Sequence, residues 1–145
     1  MIKIICLGKL KERYLKEAVE EYTKRISKYS KIEIIELPDL DDLNKEKELI
    51  EKHIGNKEYV ITLEIEGNSI SSEEFASKID SIYNTNSTIT LIIGSSTGLH
   101  DDIKNKSNYK LSFSKLTFPH QLFRVILLEQ IYRTFKINNN ETYHK

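Results

Sequence analysis

Apolar residues in this chain come either in short β-branched runs or at helical spacing, and the two patterns alternate along most of its length. The first run, Ile2 to Leu7, predicts a strand. Tyr14, Leu15, Ala18, Val19, Tyr22 and Ile26 then recur at helical spacing and predict a helix from about Glu12 to Tyr29. Ile32 to Leu37 predicts a second strand, stopped at Pro38. The acidic piece Asp39-Leu40-Asp41-Asp42 reads as a loop, and Asn44 offers a cap for a helix ending near Gly55. Tyr59 to Ile65 has the apolar density of a buried strand, followed by a turn at Glu66-Gly67-Asn68. Ser71 and Ser72, with Glu73 and Glu74 behind them, resemble an N-cap with acids in the first turn of a helix reaching Tyr83. Residues 84–88 are a loop, and Ile89 to Ile93 is a fourth strand ending at Gly94. A short helix near His100 to Lys106 leads to a fifth strand, Tyr109 to Phe113. The last helix runs from Pro119 to about Lys136 and is ended by Asn138-Asn139-Asn140.

Strands alternating with helices imply an α/β fold, a mostly parallel sheet covered by helices on both faces. The chain has 145 residues, no internal repeat and no linker, so one domain over 1–145 is expected. With 39% hydrophobic and 30% charged residues it has the balance of an ordinary core-forming domain. No apolar run approaches the roughly 20 residues that span a bilayer, and the start is too short and β-rich for a signal peptide. The lone Cys6, inside an apolar run, reads as a small core residue in a reducing cytosol. A cytoplasmic protein with no membrane partner is the expectation.

The zero net charge hides an uneven distribution. Residues 1–31 carry +5, residues 32–100 carry −9 and residues 101–145 carry +4. Two basic ends that converge make a phosphate-attracting face; solvated helix faces are the plainer account.

In a parallel sheet, ligands bind beyond the carboxyl ends of the strands, which singles out Leu63, Gly94 and Phe113 onward. The Gly94-Ser95-Ser96-Thr97-Gly98 loop combines glycines, which permit close backbone approach, with small side chains that leave amides and hydroxyls free. It is neither a Walker A loop nor a GxGxxG fingerprint, and a plain tight turn is the simpler account of it alone. From Leu111 to His120 (LSFSKLTFPH) a strand runs into a polar loop that stops at Pro119, a residue suited to a first helical turn. Leu116 and Phe118 offer apolar surface to an adenine; buried aromatics at a capped helix start are the alternative.

The last helix carries apolar residues around almost its whole circumference, which demands burial on most sides, by a second subunit or by deep packing within one. Arg124, Glu129 and Arg133 interrupt that surface, and Glu129 and Arg133 stand at i, i+4, spaced for an ion pair or for catalysis. The tail Tyr143-His144-Lys145 places a phenol, an imidazole and an amine together, groups that stack on a base, exchange a proton and meet a phosphate. Chain ends are commonly unordered, which would leave the tail inert. His53, His100 and His120 are scattered without cysteines, so no metal is expected. Ser95 and Ser96 lack the Gly-x-Ser-x-Gly elbow of a serine hydrolase.

The blocks LIIGSSTGLH, SNYKLSFSKLTFPHQLFRVILLEQIYRTFKI and the terminal YHK, with IKIICLGKLKERY and VITLEIEG, resemble the RlmH (YbeA-like) methyltransferases of the SPOUT superfamily. The resemblance covers essentially the whole chain. It implies a C-terminal trefoil knot, one of the rare exceptions to unknotted topology. It also implies S-adenosylmethionine bound by the knot loops and a homodimer with its active site at the subunit interface. The reaction implied is methylation of N3 of a pseudouridine in 23S rRNA of the assembled ribosome. Position by position, the cofactor contacts would be Leu63, Gly94, Phe113, Ser114, Lys115, Leu116, Thr117 and Phe118. For the chemistry, His144 is the candidate base and Tyr143 the group that orients or stacks the target. Arg124, Arg133 and Lys145 would hold phosphates or developing charge. In a dimer, the tail of one subunit would act at its partner's cofactor. The family usually has a second glycine where this chain has Ser95, and a positive φ there would strain a serine. The linker between Pro38 and Asn44 is short for the family. A non-catalytic dimer that binds a nucleotide or rRNA is the rival reading, and the absent GxGxxG argues against a nicotinamide oxidoreductase.

Overall fold

The computed structural model describes residues 1–144, and Lys145 lies outside them. Strands β1 (Ile2–Leu7), β2 (Ile32–Leu37), β3 (Tyr59–Ser69), β4 (Ile89–Ile93) and β5 (Tyr109–Ser112) form one sheet in the order β2-β1-β4-β3-β5. Every neighbouring pair is parallel. Helices α1 (Arg13–Ile26), α3 (Ser72–Tyr83) and α5 (His120–Asn138) cover one face, and α2 (Leu43–Glu51) and α4 (Asp101–Lys106) the other.

Two-sided covering explains the uninterrupted apolar runs. Side chains alternate across a strand, so Ile2, Ile4 and Cys6 enter one cluster while Ile5 and Leu7 enter the other. The first cluster adds Ile26 of α1, Phe75 and Ile79 of α3, and Leu127, Leu128 and Ile131 of α5. The second adds Ile50 of α2 and Ile103 of α4. Each such side chain contributes about 1.5–3 kcal/mol on leaving water. The second face also carries a polar layer. There Lys3 pairs with Glu58, which accepts a further bond from Thr90 Oγ1 at 2.7 Å.

Element ends differ from the pattern reading where side-chain chemistry competes with periodicity. Helix α1 ends at Ile26, three residues early, because residues 27–29 form a turn. The cap of α2 is Asp42 rather than Asn44: its carboxylate accepts from Asn44 N at 3.0 Å and Lys45 N at 3.2 Å. That helix stops at Glu51, short of Gly55. Helix α3 opens on a full capping box between Ser71 and Glu74. Pro119 precedes α5 as its cap, in extended conformation, and the first helical residue is His120.

The largest difference lies in β3. A turn at 66–68 is expected from the sequence, but the strand continues to Ser69. Leu63 and Asn68 both pair with Leu111 of β5, so residues 64–67 arch out of the ladder between them. Gly67 permits this, since a Cβ there would stand 2.8 Å from the Lys110 carbonyl carbon. Along α5, Arg124, Leu127, Leu128, Ile131, Thr134 and Phe135 are buried, which is one continuous stripe against α1 and α3. Deep packing therefore takes half of that helix, and Leu122 stays exposed.

Candidate functional site

The carboxyl ends of β3, β4 and β5 open into a cavity of about 650 Å³, within the usual range for small-molecule sites. Three chain segments wall it. The arch of β3 contributes Leu63, Glu64, Ile65 and Glu66. The loop after β4 contributes Gly94, Ser95, Ser96 and Gly98, and the segment after β5 contributes Phe113, Ser114 and residues 116–120. Phe123 of α5 closes the floor, edge-on to Phe113 at 4.9 Å and stacked on Phe118 at 5.9 Å.

Each loop has a local cause. A Cβ on Gly94 would meet Gly98 O at 2.7 Å, so the turn closes only over a glycine. Gly98 takes φ +88°, and its N–H donates to Ser95 O at 2.9 Å. Ser95 is outside the positive-φ residues, so the strain a serine would suffer there does not arise. Its hydroxyl is instead within 2.9 Å of Thr97 Oγ1 and donates to Glu46 Oε1 at 3.2 Å. Beyond β5, Ser114 Oγ accepts from Leu116 N at 2.9 Å, a short turn that leaves Leu116 and Phe118 exposed at the rim.

Of the residues carried over as cofactor contacts, Leu63, Gly94, Phe113, Ser114, Leu116, Thr117 and Phe118 all line this cavity. Lys115 is exposed on the same loop, outside the lining. The carried-over contacts do not include Glu64, Glu66, Lys104 and His120, which also line it. Glu64 accepts from Thr62 Oγ1 at 2.6 Å. These residues sit on the arch of β3 or on later helices, and no local spacing announces that convergence.

The tail forms a second cluster, and its ordering is built in. Glu141 accepts from Tyr29 at 2.8 Å and pairs with Lys136 at 2.9 Å. Tyr143 donates to Glu129 at 3.0 Å and packs edge-on to Tyr132 at 5.0 Å. Burial and the Glu129 carboxylate push the Tyr143 phenol up from its ordinary range. Arg133 pairs with Glu129 at 2.7 Å and stands over the Tyr143 ring at 4.9 Å. His144 bridges Arg133, through Nδ1 at 2.8 Å, and Glu73, through Nε2. A guanidinium only donates, so Nδ1 accepts and Nε2 carries the proton toward Glu73. The Glu73 carboxylate is held below its usual range, first by its own backbone N–H and then by His144.

Arg133, Tyr143 and His144 thus come together, but none of them lines the cavity of the same chain. Arg124 stands apart from both groups. It is buried, paired with Glu36, and donates to Gly8 O at 3.1 Å. Lys145 lies outside the described residues. Among the described residues no three His, Cys, Asp or Glu side chains gather to hold a metal ion.

The basic ends do meet, because α1 packs against α5. Arg25 and Lys136 stand 5.7 and 5.4 Å from the centre of the Tyr132 ring. Fold and site together define an α/β protein with a cavity of small-molecule size at the carboxyl edge of a parallel sheet, beside a cationic aromatic surface.

Comparison with known proteins narrows that class. The family described as "Predicted SPOUT methyltransferase" matches residues 1–144, and the chain belongs to the SPOUT methyltransferase family. The chain is 52% identical to the Ribosomal RNA large subunit methyltransferase H of Clostridium botulinum strain 657, with 99% of each covered. It is 50% identical to the protein of the same name from Caldicellulosiruptor saccharolyticus, over the full length of both. Among solved structures it is similar to a probable methylase family protein from Haemophilus influenzae, with TM-score 0.57 and 12% identity, covering 99% of this chain and 70% of that one. It is also similar to the SpoU methyltransferase AviRb of Streptomyces viridochromogenes, with TM-score 0.51 and 10% identity, covering 98% and 62%. These two likenesses concern the fold.

Proposed function

We propose that this protein is a homodimeric enzyme of the cytoplasm that transfers a methyl group from S-adenosylmethionine to N3 of a pseudouridine in 23S rRNA of the assembled ribosome. The observation that carries the proposal is the cavity at the ends of β3, β4 and β5. Its lining suits the donor chemically. Leu63, Leu116 and Phe118 offer apolar walls to an adenine, and Glu64 and Glu66 offer carboxylates to an ammonium group. When bound, S-adenosylmethionine supplies an electrophilic methyl carbon on a sulfonium. The relatives named as rRNA large-subunit methyltransferases support the substrate. The trefoil knot belongs to the same proposal, supported by family membership and by the arch of β3 around its double pairing with Leu111.

The division between cavity and tail supports the dimer. Leu116 at 75% and Phe118 at 39% exposed form an apolar rim on the cavity, and Leu122 lies at the same end of α5. A second copy on this rim brings its own Arg133, Tyr143 and His144 toward the donor site. The chain's residues then have separable tasks. The cavity orients the reacting groups, an effect that reaches roughly 7–11 kcal/mol in favourable cases. Tyr143 stacks on the target base, and Arg133 draws its phosphate or its developing negative charge. His144 must release Arg133, freeing the Nδ1 lone pair, before it accepts the N3 proton, while Nε2–H stays on Glu73. Arg124, buried and bound to Glu36 and Gly8 O, ties α5 to the ends of β1 and β2 rather than holding a phosphate.

Ribosomes lacking the modification, incubated with this protein and labelled S-adenosylmethionine, should incorporate label into 23S rRNA at N3 of a pseudouridine, as mapped by nucleoside digestion. Absence of label from rRNA would overturn the proposal. Deleting residues 143–145 should abolish incorporation while labelled S-adenosylmethionine still binds in equilibrium dialysis.

A further inference from the structure

Glu46 stands on α2 with only 1% of its surface exposed. Its Oε2 accepts from Leu40 N at 3.1 Å and its Oε1 accepts from Ser95 Oγ at 3.2 Å. Ser95 Oγ in turn lies 2.9 Å from Thr97 Oγ1, inside a turn already closed by the Gly98 N to Ser95 O bond. One carboxyl group therefore ties the β2–α2 loop and α2 to the glycine loop that walls the cavity. The neighbouring Asp39 carboxyl disfavours a further negative charge on Glu46. Burial first, and Asp39 second, push the Glu46 carboxyl up from its ordinary range, against the opposing bonds from Leu40 and Ser95. A buried carboxyl is costlier to fold than an apolar side chain of similar size, so packing alone does not account for it.

We infer that Glu46 is a positioning residue for the donor site: through Ser95 it sets where the Gly94–Gly98 turn stands against α2, and so the shape of the cavity wall. The inference rests on the methyl-donor reading of that cavity. It also gives Ser95 a task. Its hydroxyl is the group that Glu46 grips.

The test compares wild type with Glu46→Ala, Glu46→Gln and Ser95→Ala in the full-length protein. Amide hydrogen exchange is read without ligand, and labelled S-adenosylmethionine binding by equilibrium dialysis. In Glu46→Ala, exchange at residues 94–98 should accelerate while β1 and β4 stay protected, and the dissociation constant should rise about tenfold. On ribosomes the loss should fall on KM for S-adenosylmethionine more than on kcat. Glu46→Gln, a neutral group of the same shape as the protonated acid, should restore affinity to within about threefold. Ser95→Ala should loosen the same amides while leaving the Leu40 bond intact, which keeps the test valid if Glu46→Ala does not fold. Wild-type exchange at 94–98 in both Glu46→Ala and Ser95→Ala, or in Ser95→Ala alone where Glu46→Ala does not fold, would overturn the inference. A wild type that binds no S-adenosylmethionine overturns the cavity reading instead, and loop exchange still decides whether Glu46 positions the turn.

Discussion

At Gly94 a methyl group would stand 2.7 Å from Gly98 O and 2.8 Å from its carbonyl carbon, both backbone atoms that no side-chain rotation can move aside. Gly94→Ala must therefore open the turn that walls the cavity. The fold should survive, with a loss on the order of 1–3 kcal/mol in a thermal or urea melt, while S-adenosylmethionine affinity falls at least tenfold or so. Equal affinity in dialysis would remove the closed turn from the donor site. Cys6 illustrates the opposite case, a residue with chemistry but no access. Burial pushes its thiol up to about 11, with nearby Arg124 lowering it only in part. The thiol is therefore protonated and enclosed at pH 8, and labelling by a thiol reagent should proceed only as fast as the protein unfolds. Rapid labelling under native conditions would contradict the burial of β1.

The β-branched runs made β1, β2 and β4 legible to the residue: β1 and β4 are buried at nearly every position, and edge strand β2 is bounded by Lys31 and Pro38 although Glu33 and Glu36 stay exposed. Element ends were less so. Asp42 and Asn44 are both competent caps, and only the hydrogen bonds decide that Asp42 serves. The arch of β3 was invisible. Glu66-Gly67-Asn68 has the composition of a turn, and its return to the ladder depends on β5, more than forty residues later. The donor loops could be picked out by strand position, whereas Lys104 lines the cavity, and Glu46 reaches its wall through Ser95, only because of tertiary packing. Lys3 shows how a polar residue survives in a buried strand. Burial alone would raise the Glu58 carboxyl, but Lys3 and Thr90 outweigh it and hold Glu58 below its ordinary value near 4.5. The sign follows: this pair stabilises the fold above that ordinary value, and the contribution is lost as pH falls through the lowered folded value. Lys3→Met leaves a buried carboxylate alone and should cost roughly 3–5 kcal/mol near neutral pH. The cost should shrink as Glu58 takes up a proton in acid. Urea melts of both proteins from pH 7 down to pH 4 check the trend, and a pH-independent difference would contradict it.

At the scale of the molecule, the unequal charge along the chain resolves into geometry. α1 and α5 pack together, and Arg25 of the one and Lys136 of the other stand over Tyr22, Tyr29 and Tyr132. That surface is suited to phosphates and bases at once, although the net charge is zero. The apolar rim predicts association. Leu116→Glu combined with Leu122→Glu should convert a dimer to a monomer in sedimentation, with methyl transfer lost and the fold retained by circular dichroism. A wild type that sediments as a monomer at micromolar concentration would contradict the shared site.

The double pairing of Leu111 has one more consequence, in the order of synthesis. The cavity takes its walls from residues 63 to 123, and β5 is clasped at two levels by a strand made much earlier. A nascent chain still lacking β5 has the other four strands and the Gly94–Gly98 turn, but neither the third wall of the cavity nor the Phe123 floor. The pocket is thus complete only once β5, the segment after it and the start of α5 have been made.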